Sequence, residues 1–191
     1  MIDCEARSSC YWTHRAYFNQ YNVNVEQYGE ILISQAFGGT KMGDAQPCFD
    51  VEASIDDARE RLTSAGLSAT AIDACLCGLT DKTLRIEVKS KRARTAVSTA
   101  SVIHCSDKKV EGARGFLPAT HFAVLLVDDQ GCIEEAWLLR VTLVMDLRRM
   151  GTKSRYVPVS ALRKAASAAT SGLVDIRRLV NEVATVAIGI K

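Results

Sequence analysis

The stretch Thr83-Leu84-Arg85-Ile86-Glu87-Val88-Lys89-Ser90-Lys91 decides how this chain is read. Its apolar and polar residues alternate, which is the period of a strand with one buried face. Leu84, Ile86 and Val88 share one face and belong in a core. Arg85, Glu87 and Lys89 share the other. An acid and a lysine therefore project side by side from a rigid element, about 7 Å apart along the strand. A carboxylate so placed can hold a divalent cation, and a neighbouring lysine can hold an attacking water. Glu-x-Lys alone is a weak signal, since such tripeptides are common on solvated strands.

Two upstream acids extend the pattern. Gln46-Pro47-Cys48-Phe49-Asp50-Val51-Glu52-Ala53 is a second short strand candidate, and it carries Asp50. Glu30 lies on a helix predicted from Asn24 to about Phe37, with Asn24 as N-cap, Gln27 completing a capping box and Gly38-Gly39 as the stop. The alternative for Glu30 is a solvated helical acid. For the strand acid, Asp50 ranks first, Asp44 in the preceding Gly-containing loop second, and Glu52 third.

The order Glu30, Asp50, Glu87-Val88-Lys89 resembles the PD-(D/E)XK nuclease superfamily over roughly residues 20–140. The resemblance implies an α/β restriction-endonuclease-like fold, with a mixed central β-sheet flanked by helices. It implies Mg²⁺, or Mn²⁺ in its place, held by Asp50, Glu87 and the carbonyl of Val88. Lys89 would position or help deprotonate the attacking water, and Glu30 would complete a metal shell through water or hold a second ion. The implied activity is endonucleolytic hydrolysis of a phosphodiester, in DNA before RNA, with a homodimer as a further expectation. A nucleic-acid-binding module of the same fold, with little or no catalysis, is the alternative. Family members often join the Asp strand to the Glu-x-Lys strand by a hairpin. Here Glu87 lies 37 positions after Asp50, and the intervening segment reads as two helices, one capped by Ser54 and a second over residues 68–79.

Charge distribution agrees with an anionic partner. The chain of 191 residues has a net charge of only +2. Residues 1–81 carry 12 acids and 5 bases, whereas residues 82–115 carry 9 bases and 3 acids. Residues 146–191 again carry 9 bases and 3 acids. The first basic stretch directly follows the candidate site, and phosphate backbones are drawn to such patches. Lys91 continues the Arg85-Glu87-Lys89 face, and Lys91, Arg92 and Arg94 are candidate phosphate contacts. Solvated basic faces are the plain alternative.

Downstream, residues 90–116 read as a polar loop. Residues 120–127 form an apolar run suited to a buried strand, Asp128-Asp129-Gln130-Gly131 a turn, and residues 132–141 its partner strand. A helix capped by Ser160 follows, then an amphipathic helix marked by Leu173, Ile176, Val180 and Val183. The whole reads as one domain, with a core at about 20–145 and a helical C-terminal extension at about 156–191.

Other classes find no support. No run approaches the roughly 18 apolar residues of a membrane span. The acidic N-terminus lacks a signal-peptide pattern. Seven cysteines without Cys-x-x-Cys spacing, and only three histidines, point to reduced thiols in a cytoplasmic protein. There is no P-loop and no Gly-x-Ser-x-Gly elbow. Nothing in the sequence brings Cys105 and His121 together as nucleophile and base.

Overall fold

A computed structural model describes residues 25–43, 48–79, 81–93, 102–128, 131–149, 156–167 and 172–189. The protein is α/β, with a mixed six-stranded sheet between helices. Strand β3 (Thr83–Arg92) is central. On one side it pairs antiparallel with β2 (Val51–Ser54), which pairs antiparallel with the two-residue β1 (Thr40–Lys41). On the other side β3 pairs parallel with β5 (His121–Val127). Antiparallel β6 (Ile133–Arg140) and β8 (Leu173–Asp175) complete the order β1-β2-β3-β5-β6-β8. Strands β4 (Val102–His104) and β7 (Tyr156–Pro158) form a separate antiparallel pair.

The alternation read in β3 divides the molecule into two cores. Leu84, Ile86 and Val88 face a core lined by α1 (Val25–Phe37), α2 (Ile55–Ser64), α3 (Ala69–Leu76) and α7 (Arg177–Gly189). Tyr28, Leu32, Ile33, Ala36 and Phe37 supply the α1 side of it. Gly29 lets this helix approach the strand, since a Cβ there would lie 1.8 Å from Ser90 Oγ. Phe122, Val124 and Leu126 of β5 face the second core with Trp137 and Leu139 of β6. That core is closed by α4 (Asp107–Glu111), α5 (Val141–Arg149) and α6 (Val159–Ala166). Among the described residues no helix is long and apolar enough to cross a membrane.

The excursion between the Asp50 strand and β3 is helical as read. Ser54 caps α2 by accepting from the backbone N–H groups of Asp56 and Asp57, and Ser68 caps α3 through Ala71. Elsewhere the chain departs from expectation. The described part of 156–191 holds two helices as expected but also two strands, and β8 joins the central sheet beside β6 while Ile176, Leu179 and Val180 lie in the first core. Leu173 stands on that strand, and α7 starts only at Arg177. Ser160 is not the cap of α6: the helix begins at Val159, and Pro158 takes the cap position with no side-chain bond. The expected loop at 90–116 contains the end of β3, β4 and the short helix α4.

Candidate functional site

The edge of β3 beyond its pairing with β2 assembles the site. The β2–β3 register ends at Val51 opposite Ile86, and the Asp50 N–H donates to the Ile86 carbonyl at 2.9 Å. Asp50 lies one residue before β2, outside that paired register. Here Asp50 turns its side chain onto β3, and its Oδ2 accepts from the Val88 N–H at 2.8 Å. In an extended strand the N–H and C=O of one residue point to the same edge. The Val88 carbonyl therefore projects toward the edge that Asp50 occupies.

Glu87 is fully buried. Its Oε1 accepts from Lys89 Nζ at 2.5 Å, and its Oε2 from Lys109 Nζ at 2.5 Å. The Lys109 nitrogen also stands 3.6 Å from Asp50 Oδ1. One ammonium within reach of both acids places the two carboxylates side by side. Burial pushes the Glu87 carboxyl up to about 7, aided by the Asp50 charge and opposed by the two lysines. Burial alone would lower the Lys89 pKa. The charge and hydrogen bond of Glu87, with Asp50 behind them, outweigh it and hold Lys89 above its ordinary value.

Lys109 is the residue that sequence reasoning missed. It comes from α4, which is held in place by several ties. Val110 is buried in the second core, the Lys109 carbonyl accepts from the Ala119 N–H at 3.0 Å, and Asp107 pairs with Arg148 of α5. Its place in a basic stretch was the available signal, but nothing there separates it from Lys108, which is exposed. Arg85, the other charged residue of this strand face, is structural. It pairs with Asp81 and donates to the Pro118 carbonyl at 2.9 Å, fixing the segment that leads into β5.

Glu30 has a partner outside the cluster. It forms an ion pair with Lys41 of β1 at 2.9 Å, on the helix that packs against the Val88 and Ser90 side of β3. Among the described residues, no three acidic, histidine or cysteine side chains gather as a metal-binding group. The cluster offers two carboxylates and a carbonyl edge. Glu52, opposite Arg85, is exposed. Lys91 and Arg92 continue β3 toward solvent, Lys91 half-buried and Arg92 exposed. Asp44 and Arg94 lie outside the described residues.

Cys105 and His121 lie on opposite faces of the sheet. His121 is buried against the first core. Its Nε2 donates to the Cys75 carbonyl at 2.8 Å, and burial pushes its pKa down to about 4. Cys105 is in the second core, where burial pushes its thiol up to about 12. That keeps it a thiol rather than a nucleophilic thiolate.

The two carboxylates and the Val88 carbonyl are hard oxygen donors, which suit Mg²⁺ or Mn²⁺. A cationic group already bridges Asp50 and Glu87, so the position between them accepts positive charge. The chain matches no protein-family model, and no curated protein matches it.

Proposed function

We propose that this protein is a Mg²⁺-dependent endonuclease of the PD-(D/E)XK type, acting on DNA phosphodiesters through Asp50, Glu87, Val88 and Lys89. The observation that carries this reading is the meeting of Asp50 and Glu87 around one ammonium, at a strand edge that also presents Lys89 and the Val88 carbonyl. The order of elements supports a restriction-endonuclease-like fold. A helix precedes Asp50 and β2, the Glu-x-Lys strand is central, and a hydrophobic strand lies beside it.

Asp50, Glu87 and the Val88 carbonyl would hold the metal, which when bound polarises the phosphodiester and lowers the pKa of water. Asp50 is oriented for this by the Val88 N–H. Lys89 keeps its proton beside Glu87, which suits it to hold a water by hydrogen bonding and to offset charge developing on the phosphate. Lys91 and Arg92 extend the same strand and would contact the nucleic-acid backbone.

A second reading is a binding module of this fold without catalysis. The closed ion-pair network favours it, because Glu87 already has a lysine on each oxygen. Incubating wild type and Lys89→Ala with supercoiled plasmid and with single-stranded DNA, in Mg²⁺, Mn²⁺ or EDTA, separates the two. Metal-dependent cutting lost in Lys89→Ala is the expected result. Metal-independent DNA retention without cutting would establish the binding module instead.

A further inference from the structure

We propose that Lys109 is the internal counter-cation of this site: its ammonium holds Asp50 and Glu87 together without metal and yields that position to a divalent cation. The inference rests on the reading of the two acids as metal ligands and assigns a role to a residue outside the Glu-x-Lys pattern.

The geometry sets Lys109 apart from Lys89. Lys89 pairs with Glu87 from the same strand. Lys109 reaches in from α4 and contacts Glu87 Oε2 while standing 3.6 Å from Asp50 Oδ1, which is the bridging position. With Asp50 and Glu87 both ionised, their two charges balance the two ammonium groups of Lys89 and Lys109. Adding a divalent cation without moving a lysine would leave an excess of positive charge in a largely buried space, which is strongly disfavoured. Expelling one ammonium removes most of that conflict, and the bridging one obstructs the metal most directly.

The exchange requires no refolding. Val110, the Lys109 carbonyl and Asp107 fix the backbone of α4, while the lysine stem has four rotatable bonds. The side chain alone can swing out. Its freed charge then lies at the mouth of the site, available to a phosphate oxygen.

The test is calorimetric titration of Ca²⁺ and of Mn²⁺ into the full chain without DNA. The proteins compared are wild type, Lys109→Met, Lys109→Gln and Lys108→Met, each also melted in EDTA and in saturating Ca²⁺. Removing the competing ammonium should tighten cation binding of both Lys109 variants about tenfold. Both should melt below wild type in EDTA, where the carboxylates repel, and Ca²⁺ should erase the deficit. Lys108→Met, which removes an exposed charge one residue away, should leave affinity and melting unchanged. If a Lys109 variant folds only with Ca²⁺ present, the inference holds. If it fails to fold even then, the inference falls. Unchanged affinity with a melting deficit that Ca²⁺ does not repair would make Lys109 purely structural. Equal tightening in Lys108→Met would make the effect one of bulk charge, and either result overturns the proposal. Absence of cation binding in every protein, wild type included, would remove the metal reading itself.

Discussion

The two faces of β3 are built from the same ten residues and do opposite things. On one face Leu84 and Ile86 are fully buried and Val88 nearly so, among other apolar side chains. On the other, Glu87 is equally buried, yet it is surrounded by charge. Burial of an apolar side chain stabilises the fold by the hydrophobic effect. Burial of a carboxylate costs free energy that partners recover only in part. The rise of the Glu87 pKa to about 7 in spite of two lysines is the mark of that unrecovered cost. A fold that needed only stability would place an apolar residue there. Function is therefore sought on the face where burial is unfavourable.

This contrast breaks most sharply through paired substitutions on adjacent residues. Glu87→Gln should lower metal-dependent cleavage by about a thousandfold, equivalent to about 4 kcal/mol at the transition state, while leaving circular dichroism unchanged. Ile86→Ala should do the reverse. It should cost about 3 kcal/mol in denaturant unfolding and retain the site.

The pH dependence of stability sharpens the comparison further. Glu87 binds its proton more tightly folded (about 7) than unfolded (ordinary value 4.5). Its contribution to stability is thus fully present below about pH 4.5 and lost as pH rises through 7. In EDTA, wild type should lose stability relative to Glu87→Gln across that window, with a flat difference above it. A difference of the opposite slope would contradict the burial argument.

A smaller effect is expected where the apolar face meets α1. Gly29→Ala drives a Cβ against Ser90 Oγ and should cost about 2 kcal/mol. Ser90 Oγ is buried without a hydrogen-bond partner, so Ser90→Ala should be neutral or slightly stabilising in thermal melts. Smallest of all, Lys91→Ala and Arg92→Ala should each weaken DNA retention only a few-fold. Each should also reduce the salt dependence of binding by about one phosphate contact.

Much of this was legible in the sequence, for identifiable reasons. Strand β3 was readable because apolar and polar residues alternate from Thr83 to Lys89. The cap of α2 was readable because Ser54 acts within three residues of its own helix. The run at His121–Val127 is buried throughout, and its composition says so. The parts that stayed hidden depend on contacts between distant segments. Lys109 meets Glu87 across 22 residues, and no periodicity distinguishes it from Lys108. Strand β8 has three residues, too few for a period, and its apolar side chains merge with the stripe of α7. Chain order singles out Glu30 but does not reveal its pairing with Lys41 on the neighbouring strand.

The most direct test is diffraction from crystals grown with Mn²⁺, recorded near the manganese absorption edge. An anomalous peak is expected between Asp50 and Glu87, within about 2.2 Å of a carboxylate oxygen of each and close to the Val88 carbonyl, with the Lys109 ammonium moved out of its bridging position. A map without manganese at that position, with Lys109 still bridging the two acids, would contradict it.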